Sequence, residues 1–163
     1  MLCKIDNYLR NLYRLSGYIA AIFLILVATF ILTGIASRLF GFYIRGLAEY
    51  SGYCMAASSF LALAYTFGEK GHIRITLFLE KANKSIRRYL ELWCLSIATF
   101  FSGFLFFYFV KMLMISFNFQ ERSEGADEIL IWIPQVPVAL GSSIFFICVL
   151  HNFILLILKK NNI

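Results

Sequence analysis

Four long runs without a charged side chain decide what this chain can fold into: residues 15–37, 50–68, 92–110 and 129–158, of 23, 19, 19 and 30 residues. At a rise of 1.5 Å per residue the first would cover roughly 35 Å as a helix, enough to cross a hydrocarbon core of about 30 Å. Of the 163 residues, 61% are hydrophobic, and the mean hydropathy is +0.78; a soluble domain is about 45–50% apolar. The chain is therefore read as an all-α integral membrane protein. It is expected to form a single domain over 1–163, with four transmembrane helices at about 15–37, 50–68, 90–117 and 138–158. Pro134 and Pro137 predict an extended or interfacial turn ahead of the fourth. The second run holds Gly52, Ala57, Ser58 and Ala64, small enough for the close approach that drives helix association in lipid, so it is expected to be the most buried span.

One long polar interruption, 68–93, divides these runs into two pairs. Gly68 and Gly71 relax the backbone, after which Ile75, Phe78, Leu79, Ala82, Ile86, Tyr89, Leu90 and Trp93 recur at helical spacing. Lys81, Lys84, Arg87 and Arg88 fill the opposite face. This pattern predicts an amphipathic interfacial helix at about 73–89, lying on the cytoplasmic membrane surface before the chain turns in and spans.

Basic residues are unevenly shared between the two sides. Lys4, Arg10, Arg14, the six from Lys70 to Arg88, Lys159 and Lys160 make eleven on one side, against Arg38, Arg45 and Arg122 on the other. The positive-inside bias then places both termini and the amphipathic helix in the cytoplasm, and a loop bearing Glu121, Glu124, Asp127 and Glu128 outside. That loop is either plain solvated surface or a docking surface for a soluble partner. No small-residue cleavage signature follows the first run, which predicts a retained first span. The net charge of +6 might suggest nucleic acid, but the basic residues lie beside apolar runs and match membrane lipid headgroups instead. Lys111 lies about 31 Å along the third helix from Leu90, and is expected to emerge near the far headgroups and snorkel there. The competing reading is a buried functional cation.

Catalytic chemistry finds no foothold. His72 and His151 are the candidate haem ligands, but His72 lies beyond the charged end of its span while His151 is eight residues inside Lys159, so they do not meet at one iron. The cysteines, Cys3, Cys54, Cys94 and Cys148, form no CxxC pair. With no glycine-flanked nucleophile and no ligand cluster, neither enzyme activity nor a cofactor nor a bound metal is expected. Glu49 opens the second span, where an acid suits the positive end of the helix dipole; the functional reading is a polar contact to a partner subunit or to Arg45. No carboxylate sits deep within a span, and neither a midplane charge nor a broken helix pair is evident, which argues against a self-sufficient transporter.

The stretch from Glu49 through Glu80 joins an acid-opened, small-residue helix to EKGHIRITLFLE, and it resembles the DctQ-like small membrane subunit of TRAP (tripartite ATP-independent periplasmic) transporters. Gly71, His72, Ile73, Arg74 and Ile75 stand in that family's Gly-His-Ile-Arg-Val signature, with isoleucine replacing the usual valine. In WIPQVPVALG, Trp132, Pro134, Pro137 and Gly141 look like the family's proline-containing approach to the last span. The first 45 residues match only as a generic anchor and span.

The resemblance implies a three-component importer of an organic acid, sialic acid or a dicarboxylate, in a bacterial inner membrane. A large multi-span subunit would carry substrate and sodium, a periplasmic binding protein would deliver the solute, and this chain would serve as a fixed scaffold, with no cofactor of its own. Glu49, Phe78, Leu79, Trp132, Pro134 and Pro137 become the expected partner contacts. His72 and Arg74 are open to three roles: locking the turn, binding lipid phosphates, or touching the large subunit. The same sequence also suits a membrane anchor or assembly subunit of another complex.

Overall fold

A computed structural model describes residues 2–68, 84–123 and 128–158. Among the described residues there are four helices: α1 (Leu2–Leu39), α2 (Leu47–Gly68), α3 (Lys84–Phe119) and α4 (Trp132–Leu158). Three are long and apolar enough to cross a membrane, over Tyr8–Leu39, Tyr89–Phe119 and Trp132–Ile157. The 22 residues of α2 are diluted by Ser51, Gly52, Ser58 and Ser59, and this helix is not among those three.

Left-handed residues end two of these helices and open a third. Gly41, at φ 76°, lets the Phe42 amide donate to the Ser37 carbonyl at 3.0 Å and the Gly41 amide to Arg38 at 3.2 Å, which satisfies the last carbonyls of α1. Gly46, at φ 79°, precedes α2 and accepts from the Tyr50 amide. Gln120, at φ 50°, closes α3 in the same way as Gly41, with the Glu121 amide donating to the Ser116 carbonyl at 3.2 Å.

In space the helices form a row in the order α1, α2, α4, α3, with a smaller contact between α1 and α4. Ser58 donates across to the Ala20 carbonyl at 2.9 Å, tying α2 to α1. The backbones of α2 and α4 meet directly: a Cβ on Gly141 would stand 2.8 Å from the Phe60 carbonyl carbon and 2.9 Å from the Leu61 nitrogen. Beside this crossing, the Cys148 thiol reaches the Ala64 carbonyl at 3.6 Å and the rings of Phe67 and Phe145 sit edge-on at 5.9 Å. On the other side of α4, Phe146 stacks on Phe106 at 5.7 Å and Trp132 meets Phe117 at 5.5 Å. Close backbone approach of this kind is what holds helices together where lipid removes the hydrophobic drive.

Three sequence expectations change. The second span is not alone in the interior: α2 buries Ala57, Ser58, Leu61 and Ala64, but α4 buries Val138, Ala139, Gly141, Ser142, Cys148 and Val149, because it sits between two neighbours. Pro134 and Pro137 lie in helix, not in an extended approach to it. Pro134 is the third helical residue, where an amide has no intrahelical acceptor to lose, so only Pro137 removes a ladder hydrogen bond, the one to the Ile133 carbonyl. Finally, Lys84 to Tyr89, the end of the expected interfacial helix, are continuous with α3; the rest of that segment, 69–83, lies outside the described residues.

Candidate functional site

The polar groups gather at one end of the row, where α2 begins, α3 ends and α4 begins. The turn at Gln120 folds Glu121 back over the last turn of α3, so that Ser116 donates to the Glu121 carboxylate at 2.8 Å and Gln135 of α4 donates to the Ser116 hydroxyl at 3.2 Å. The Ile131 amide donates to the Glu121 carbonyl at 3.0 Å, and the Ser123 amide to Ile129 at 2.7 Å, which pins the two sides of the α3–α4 loop together around the Arg122–Leu130 bridge. From α2, the Tyr53 hydroxyl lies 3.0 Å from the Ser123 hydroxyl. Three helix ends are thereby joined by side chains that single-sequence reading did not select: Tyr53, Ser116, Ser123 and Gln135.

The expected site residues divide into three groups. Glu49 is the third residue of α2, in the positive field of its N-terminus, and borders a cleft of about 300 Å³ lined also by Arg38, Tyr43 and Gly46. Among the described residues it forms no ion pair with Arg45. Glu121 is engaged by Ser116, and Glu128, at φ 45°, pairs with Arg122 at 3.4 Å. That pair is widely exposed and is worth at most about 1 kcal/mol, yet it offsets one of the loop's acids. Trp132, Pro134 and Pro137 form the first turns of α4. The Trp132 indole nitrogen and the Gln135 amide oxygen are buried without a hydrogen-bond partner among the described residues. Gly71, His72, Ile73, Arg74, Phe78, Leu79, Glu124 and Asp127 lie outside the described residues.

At the opposite end, α1 and α2 enclose a second cleft of about 400 Å³, lined by Arg14, Gly17, Tyr18 and Tyr65. Both clefts border α1 and α2 at the ends of the helices.

Compared with protein-family models, residues 25–159 match the one described as tripartite ATP-independent periplasmic transporters, DctQ component. The chain belongs to the DctQ family. A comparison with curated proteins finds no match. The DctQ match spans α2, α3 and α4 and the last 15 residues of α1, so it reaches every helix of the row and not only the polar segment that carries the signature residues. As a DctQ component the chain is the small membrane subunit of a TRAP transporter. It is a transporter component of a tripartite system, with a large subunit and a binding protein as its partners.

Proposed function

We propose that this DctQ subunit is a fixed scaffold in a sodium-driven symporter for an organic acid, sialic acid or a dicarboxylate. In this reading the large subunit carries solute and sodium, the periplasmic binding protein delivers the solute, and the present chain holds the large subunit without binding either. The observation that carries the reading is the seam between α2 and α4, where backbone meets backbone at Gly141. A helix pair in such contact resists the relative movement that alternating access demands. The tie at the start of α4, through Gln135, Ser116 and Glu121, supports the same view.

α2 acts as the fourth span. Its course beside α1, with Tyr13 against Gly68 and Leu47 against Gly34, supports this reading. Both termini face the cytoplasm, and residues 73–83 lie on the inner surface, with Phe78 and Leu79 in the acyl boundary and in contact with the large subunit. Gly71, His72, Ile73 and Arg74 lock the turn leading to that segment. On the outer side Glu49 and the loop of Glu121, Glu124, Asp127 and Glu128 add to the docking surface of the binding protein, and Trp132, Pro134 and Pro137 form part of the contact with the large subunit.

Reconstitution tests this division of labour. The purified chain alone, in liposomes with an imposed sodium gradient, is expected to take up no organic acid. Adding the large subunit and the binding protein restores sodium-dependent uptake. Uptake of sialic acid or a dicarboxylate by the single chain would overturn the scaffold reading.

A further inference from the structure

The register of the row places one charge in an unexpected position. α3 and α4 run antiparallel, with Phe117 against Trp132 and Gly103 against Phe146, which sets Lys111 level with Val138. α4 and α2 run parallel, with Gly141 against Phe60 and Leu61, which sets Val138 level with Ala57 and Ser58. Those two residues are the middle of α2, Leu47–Gly68. Measured along its own helix, Lys111 lies eight residues before Phe119, the end of α3. That is about 12 Å at 1.5 Å per residue, against a half-thickness of roughly 15 Å for the hydrocarbon. With the end of α3 at the outer boundary of the hydrocarbon, Lys111 lies within it, level with the middle of α2.

Snorkelling does not rescue it. The extended stem of a lysine reaches roughly 6 Å, about half the distance needed. Its direction is also wrong, because a Cα–Cβ bond tilts toward the N-terminus of its helix, which on α3 points back into the membrane. Lys111 is exposed, and among the described residues it makes no hydrogen bond or ion pair. Its neighbours on the same stripe are Phe101, Phe104, Tyr108 and Ile115, all exposed, with the Phe104 and Tyr108 rings 4.4 Å apart. α3 is an outer member of the row, so among the described residues no other helix covers that face. α1, the other outer helix, carries no charge over 15–37.

The geometry points to the Lys111 stripe of α3 as the surface that seats the large subunit, with a carboxylate on one of that subunit's helices as the counter-ion. The inference rests on the assignment of the chain to a TRAP complex and names the face that the complex uses. An unpaired ammonium at this depth is costly in lipid and is relieved by an anion held in protein. The aromatic side chains on either side supply the apolar surface against which such a helix would lie. Reciprocally, the partner's carboxylate is tolerated at that depth only while the lysine is present, so the pair selects for assembly.

Co-purification tests it, using the tagged chain co-expressed with the large subunit of its own transporter. Lys111→Met keeps length and adds apolarity, so the isolated chain should be produced and melt at least as well as the parent. The complex should suffer: the large subunit recovered with Lys111→Met is expected to fall at least about tenfold, and further with Lys111→Glu, while Lys111→Arg retains most of it. Wild-type recovery of the large subunit by Lys111→Met overturns the proposal. So does loss of a bound anionic phospholipid, read by native mass spectrometry, with the complex intact, since the lysine then serves a headgroup. If the parent chain itself recovers no large subunit, the TRAP scaffold reading falls and this inference falls with it.

Discussion

Gly141→Ala probes the seam on which the scaffold reading depends. The new Cβ would lie 2.8 Å from the Phe60 carbonyl carbon and 2.9 Å from the Leu61 nitrogen. Carbon atoms rest at about 3.5–4.0 Å, so the two helices must separate locally by roughly 1 Å. Backbone cannot swing aside as a side chain can, so the shift is transmitted along α2 and α4 to the Cys148–Ala64 and Phe67–Phe145 contacts. Overpacking of this kind costs about 1–3 kcal/mol, or a melting temperature lower by roughly 5 °C for a chain of this size. Gly103→Ala is the matched control: its Cβ would meet the Phe146 ring at 3.1 Å, and a ring edge can turn away. Thermal unfolding of the detergent-purified chain, followed by tryptophan fluorescence and by the loss of monodisperse protein, reads both. A Gly141→Ala chain that melts with the parent, or a more damaging Gly103→Ala, would refute the argument.

Four further outcomes are expected. Replacing Phe78 and Leu79 together by Asp puts two charges into the acyl boundary, at a cost of several kcal/mol by insertion scales, and should abolish recovery of the large subunit; unchanged recovery would mean that the segment is a free loop. Changing Glu121, Glu124, Asp127 and Glu128 to Ser or Asn should raise the binding-protein concentration for half-maximal uptake at low ionic strength, leaving the maximal rate intact, and a concentration that stays put would assign docking elsewhere. Gly41→Ala, at φ 76°, should destabilise the isolated chain by about 1 kcal/mol. Gly52→Ala, on an exposed helical site where a Cβ meets nothing within 4 Å, should be neutral or stabilising in the same melting assay.

Helices were legible wherever uncharged length alone decides the outcome, as for α1, α3 and α4, and the matched family is the one that the Gly71–Ile75 and WIPQVPVALG motifs had suggested. Pro134 misled because a proline reads as a breaker, although in the first turn of a helix it breaks nothing. The level of Lys111 beside Val138 was not legible, because it emerges only from the partners that face each other across α3, α4 and α2. The small residues of α2 correctly signalled close packing, but Gly52 and Ala56 face outward while Ala57 and Ser58 face in, a distinction that composition does not make. The link through Ser116, Glu121 and Gln135 was invisible, since it exists only once the Gln120 turn and the α3–α4 pairing bring residues 19 apart together.

The spatial order α1, α2, α4, α3 also bears on how the chain is made. Synthesis delivers α3 before α4, yet α4 is the helix that separates α3 from the α1–α2 hairpin. At 5–20 residues per second, the 39 residues from the end of α3 to the end of α4 take roughly 2–8 s to emerge. During that interval α3 lacks the helix against which it packs and must wait beside the insertion machinery or against another protein. The helix translated after α3 is the one that joins it to the row.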